Sequence, residues 1–231
     1  MKLATVDILR KARQSGDPVA LVTQLSTGQQ TLVYPGAVTG EFAIPDERVT
    51  RIRQAIHDDK SGVIDDDYFV RVVSPAYRLI VVGAVHIAQA LAPMAALAGY
   101  AVTVIDPRRA FATDERFPSV TLSGAWPDEA LTELKPDSRT AVVTLTHDPK
   151  LDDPALEIAL KSPVFYIGAL GSRKTHAGRL ERLKARGFDD ATLGRIHGPI
   201  GLRIGAITQA EIALSILGEL TAVRRQVAAA A

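Results

Sequence analysis

One stretch restricts this chain more than any other. Arg78-Leu79-Ile80-Val81-Val82 is a continuous apolar run, as in a strand buried on both faces of a parallel sheet. It breaks at Gly83. Apolar residues then recur at Ile87, Leu91, Met94 and Leu97, close to helical spacing. A second apolar run, Ala101-Val102-Thr103-Val104-Ile105, ends in Asp106, 23 positions after Gly83. Strand, glycine turn, helix, strand and acid form the first unit of a dinucleotide-binding fold, in which the acid follows the first glycine by about 20 residues. The fingerprint asks for glycines at three places. Here they are Gly83, Val85 and Ala88, and a β-branched side chain stands where the pyrophosphate approaches bare backbone.

Beyond this unit the pattern continues as alternating strands and helices. A strand at Thr140–Leu145 leads into Thr146-His147-Asp148, and Asp148-Pro149 starts a helix to about Leu160. A strand at Val164–Ile167 runs into Gly168-Ala169-Leu170-Gly171-Ser172-Arg173-Lys174 and a further helix. Residues Arg195–Ala206 read as a glycine-rich loop. Thr208 and Glu211 make a capping box for the last helix, and an alanine tail ends the chain. Residues 1–74 read as a small α+β domain closed by Ser74-Pro75, and 75–231 as a Rossmann-like, doubly wound parallel sheet. The acidic triplet Asp65-Asp66-Asp67 reads as a solvated turn, with no histidine at ligand spacing to suggest a metal.

In such a sheet the polar strand ends share one edge, where ligands bind. Gly168–Lys174 combines free backbone, a capping Ser172, a helix N-terminus and two cations, which suits a phosphate. Its spacing is not that of a Walker A loop. Asp106 is placed to accept from a ribose hydroxyl, or Arg108 and Arg109 to meet a phosphate. His147 and Asp148 are the candidates for general acid–base work, and His86 sits on the glycine turn. Net charge is +1, without blocks of like charge, so nothing points to nucleic acid. No apolar run approaches a membrane span, no signal-peptide core opens the chain, and cysteine is absent, so cysteine chemistry is excluded and the cytoplasm is expected.

The strings Gly83-Ala84-Val85-His86-Ile87-Ala88, Asp106-Pro107-Arg108, Thr146-His147-Asp148, Tyr166-Ile167-Gly168-Ala169-Leu170-Gly171-Ser172-Arg173-Lys174 and Ile196-His197-Gly198-Pro199-Ile200-Gly201-Leu202 resemble, in order and spacing, the xanthine dehydrogenase accessory protein family (XdhC/CoxI). The resemblance spans about residues 78–225. It implies a maturation factor that binds the molybdenum cofactor, as molybdopterin or its dinucleotide form, and delivers it to a molybdenum hydroxylase apoenzyme. Gly83, His86, Asp106, Arg108, Gly168, Gly171, Ser172, Arg173, Lys174, His197 and Gly201 would then bind the cofactor, with no metal site of the chain's own. A homo-oligomer and cofactor-modifying enzymes as further partners are also implied. Two other readings stay open: an NAD(P)-dependent oxidoreductase on the same fold, and a non-catalytic scaffold. The chain differs from the family pattern at Val85, in having no Gly-Ser-Ser-Pro-Arg-type loop after its first strand, and in lacking cysteine.

Overall fold

A computed structural model describes residues 3–15, 17–118 and 120–226. The alanine tail lies outside them. The chain divides into two compact units, Met1–Ala76 and Tyr77–Ala231.

The first unit runs α1 (Leu3–Ser15), β1 (Val19–Gln24), β2 (Gln30–Val33), β3 (Val38–Gly40), α2 (Asp46–His57), β4 (Gly62–Asp65) and β5 (Tyr68–Val73). Its sheet is antiparallel, in the order β3-β2-β1-β5-β4. Ala20, Val22 and Val70 point to one face, where Val49, Ile52 and Ile56 of α2 cover them. Val19 and Leu21 point to the other, against Leu9 and Ala12 of α1. The acidic triplet is not simply solvated. Asp65 closes β4 and pairs with Arg48 and Arg51, each at 2.7 Å, while Asp67 accepts from Gln24 and from the Ser26 N–H. These partners hold the β4–β5 hairpin.

The second unit runs β6 (Tyr77–Val82), α3 (His86–Leu97), β7 (Tyr100–Ile105), β8 (Thr121–Ser123), α4 (Pro127–Leu134), β9 (Thr140–Thr144), α5 (Pro149–Lys161), β10 (Tyr166–Ala169), α6 (Arg173–Ala185), α7 (Asp190–Leu193), β11 (Ile196–His197) and α8 (Gln209–Arg224). All six strands are parallel, in the order β11-β10-β9-β6-β7-β8. Counted from β6 this is 3-2-1-4-5-6, the doubly wound dinucleotide-binding order. Leu79 and Val81 face α3 and α8. Their neighbours Ile80 and Val82 face α4 and α5. Burial on both faces is why these strands read as unbroken apolar runs. Three short strands escaped the sequence: β3, β4 and β11 have three, four and two residues, too few to show a period. So the stretch read as a loop from Arg195 in fact adds an edge strand beside β10.

Candidate functional site

Register levels the strand ends. Val82 pairs with both Ile105 and Thr144, and Thr144 with Ala169. The loops that follow are stitched sideways: the Gly83 N–H donates to Ile105 O (2.8 Å), Leu145 N–H to Val82 O (2.9 Å) and Leu170 N–H to Thr144 O (2.9 Å). Strand order reverses between β6 and β9, so the Gly83 turn and the Thr146–Asp148 loop flank the switch point where this fold takes its ligand.

Gly83 is there for two reasons. Its φ is +109°, and a Cβ at that position would lie 2.6 Å from Thr146 Cγ2. Val85 is the N-cap of α3 at φ −87°, and its partly buried side chain packs on the core. His86, the first residue of α3, is exposed.

Asp106 is wholly buried, and its oxygens are already committed. Oδ2 accepts from the Ala84 N–H (2.8 Å) and from Arg108 Nη2 (2.8 Å), and Oδ1 from the Arg108 N–H (3.0 Å) and Nε (2.9 Å). Burial alone would raise this carboxyl, but the hydrogen bonds from Arg108 and Ala84 outweigh it and hold it below the usual carboxylate range. The sequence suggested a ribose acceptor; the geometry makes Asp106 a brace for the glycine turn. Arg108, 39% exposed and stacked over Phe111 at 4.7 Å, is the group that faces outward. The long loop after β7 is anchored by buried Phe117 and by Arg116, which reaches Gln89 of α3.

After β9, His147 is exposed and takes a left-handed φ of +61°, uncommon outside glycine and concentrated at functional sites. Asp148 caps α5, accepting from the Lys150 N–H at 2.9 Å. After β10, Gly168 is buried within the strand, where a Cβ would strike Ile200; it packs rather than lines. Ser172 caps α6 through the Thr175 N–H (3.1 Å), and Arg173 and Lys174 stand exposed in its first turn. A cleft of about 300 Å³ opens here, lined by His147, Asp152, Lys174, Thr175, Arg179 and Arg182.

His197 and Gly201 belong to a separate cluster at β11. His197 stacks on Tyr166 at 4.7 Å, and its Nδ1 lies 3.5 Å from Glu219 of α8. Glu219 also accepts from Tyr166 Oη (2.5 Å) and from the Gly201 N–H (2.9 Å). Burial pushes the Glu219 carboxyl up, but His197, Tyr166 and Gly201 bring it below its usual range, while burial and Glu219 push the Tyr166 hydroxyl up. Glu219 therefore pins the glycine loop to the last helix. Gly201 has φ +97°, and Ser215 Oγ crowds the place where a Cβ would stand.

Asp152, Arg179, Tyr166 and Glu219 were not singled out from sequence. One signal was available: Asp152 shares the buried face of α5 with Leu156 and Ala159, and Arg179 that of α6 with Leu183, charges at apolar positions.

The chain matches the family model for the XdhC Rossmann domain over residues 79–220, more than half its length. Among curated proteins it is 29% identical over 227 residues to a probable xanthine dehydrogenase subunit of Bacillus subtilis, covering 95% of this chain and 65% of that protein. It is 33% identical over 150 residues to the molybdenum cofactor insertion chaperone PaoD of Escherichia coli, covering 65% of this chain and 41% of that one. It also matches the uncharacterized Escherichia coli protein YqeB at 33% identity, over 74% of this chain and 31% of that protein. Thus it spans from about a third to two thirds of the length of these relatives. A crystal structure described as a xanthine dehydrogenase from Bacillus halodurans superposes with a TM-score of 0.76 at 24% identity, over 96% of this chain and 64% of that one, which shows the shared fold.

Proposed function

The chain belongs to the XdhC family through its Rossmann domain, and from that premise we propose that it carries the molybdenum cofactor and hands it to a molybdenum hydroxylase of the xanthine or carbon monoxide dehydrogenase type. The names of its Escherichia coli and Bacillus subtilis relatives, an insertion chaperone and a dehydrogenase subunit, support this reading. The observation that carries it is the levelled strand edge. There Arg108 stands half-exposed beside the braced glycine turn, Arg173 and Lys174 stand exposed at the N–H groups that start α6, and Lys174 lines a cleft of about 300 Å³. The cargo is an anionic pterin phosphate. Cations and helix N–H groups bind it reversibly, which suits a carrier that must also release it. The apoenzyme and cofactor-modifying enzymes are the partners, and the cytoplasm is the place.

The nicotinamide reading loses its ribose acceptor, because Asp106 is consumed inside the fold. The test is native mass spectrometry with metal analysis on protein purified without oxygen from a host that makes the cofactor. Molybdenum and pterin near one equivalent support the carrier. A protein that stays empty and also ignores NAD supports the scaffold instead.

A further inference from the structure

Asp152 and Arg179 are each 2% exposed, on α5 and α6, with Asp152 Oδ2 3.8 Å from Arg179 Nη2. Each reaches a different loop of the strand edge. Asp152 Oδ1 accepts from Thr146 Oγ1 at 2.7 Å, and that hydroxyl accepts in turn from the Asp148 N–H at 3.0 Å. Arg179 Nη2 donates to Leu170 O at 2.8 Å, in the glycine loop before α6. Thr146 also fills the space beside Gly83. Three loops are thereby linked through one ion pair.

Stability is a poor reason for that pair. Removing two charges from water is costly, and apolar pairs of similar volume are often as stable or more so. Nor is the pairing complete, since Asp152 Oδ2 and Arg179 Nε have no hydrogen-bond partner among the described residues. Burial pushes the Asp152 carboxyl up and the Arg179 guanidinium down, against their mutual attraction. What the pair does supply is a fixed distance between the His147 loop and the Leu170–Ser172 loop. A ligand that bridges two loops binds more tightly when their spacing is set beforehand, because no ordering cost is left to the binding step.

We infer that Asp152 and Arg179 are positioning residues that lock the loops after β9 and β10 into one unit, so that the anionic cargo meets a preformed edge. The identity of the cargo rests on the carrier reading; the locking does not. The experiment is amide hydrogen exchange on the full chain, comparing wild type with Asp152→Asn, Arg179→Lys and the apolar double variant Asp152→Leu/Arg179→Met. Loss of a charge-assisted bond should speed exchange roughly tenfold or more at both 145–148 and 170–172 in each single variant, leaving β1 and β5 unchanged. The double variant should regain thermal stability while both loops stay fast. Faster exchange confined to one loop, unchanged loops in the single variants, or loops restored together with stability in the double variant would each overturn the locking. Cofactor uptake separates the two ideas. A wild type that takes up no molybdenum cofactor sinks the carrier reading and leaves the exchange result standing. A folded Asp152→Asn protein with loosened loops and undiminished uptake sinks the positioning role.

Discussion

Replacing Asp106 with alanine removes the brace of the glycine turn, and its cost follows from the bonds it makes. The Ala84 N–H is buried and has Asp106 Oδ2 as its acceptor at 2.8 Å. Left without it, that donor costs about 1–3 kcal/mol. The pairing with Arg108 adds less, because that guanidinium is 39% exposed and water replaces part of what it loses, about 0.5–1 kcal/mol. The sum is about 1.5–4 kcal/mol. In a unit of this size that lowers the melting temperature by roughly 3–16 °C. Trp126 is the sole tryptophan of the chain and lies in the second unit, so its fluorescence follows that unit alone in urea or heat. Asp106→Asn keeps an oxygen for Ala84 and should lose about half as much. The pH dependence gives a second reading. The folded carboxyl titrates below its unfolded value near 3.9, so its contribution is complete above that pH and disappears as pH falls through the lowered folded value. The gap between wild type and Asp106→Ala should be wide at neutral pH and close in acid. A loss under about 1 kcal/mol, or a gap indifferent to pH, would refute the assignment of Asp106 as a brace.

Other consequences can be measured on the same protein. Gly83→Ala meets both the left-handed φ and the Thr146 methyl, and should cost roughly 2–4 kcal/mol in urea unfolding; a near-neutral result would mean the turn relaxes freely. Val85→Gly should lose about 1 kcal/mol of packing and gain no NAD binding in a fluorescence titration, since the ribose acceptor is already consumed. Glu219→Ala strands the Tyr166 hydroxyl and the Gly201 N–H and should destabilise by about 2–4 kcal/mol. The wild type loses that advantage as pH drops below the unfolded glutamate value near 4.3, because the folded carboxyl lies lower still.

Fold was the more legible part. Gly83, Asp106 and the apolar runs between them specify a βαβ unit, because buried parallel strands show continuous hydrophobicity whatever their neighbours are. Helix starts were legible too: Pro127, Asp148-Pro149, Ser172 and Thr208 with Glu211 all begin helices where local chemistry says they should. Strands β3, β4 and β11 were not, since two to four residues hold no pattern and pair only because the sheet offers them an edge. The shared edge of the polar strand ends was legible, and the register levels them there; the bonds made by their side chains were less so. Exposed Arg173 and Lys174 stand where the helix start puts them. The Ala84 partner of Asp106 and the Thr146 and Arg179 partners of Asp152 come from contacts that close only when the chain has folded. A carboxylate that binds a ligand and one that braces a turn look alike in sequence.

The most direct test of the account is molybdenum and pterin content per chain, measured side by side on wild type and on the double variant Arg173→Ala/Lys174→Ala. Both would be purified without oxygen from the same cofactor-producing host. These two cations are exposed and outside the core, so the fold should persist, with Trp126 fluorescence as the check. Each wild-type chain should carry about one cofactor, and the variant should hold it at least tenfold more weakly, the scale of about 1.5 kcal/mol for a lost charge-assisted bond. Equal occupancy in the two proteins would contradict the placement of the cargo at this edge, and an empty wild type would contradict the carrier itself.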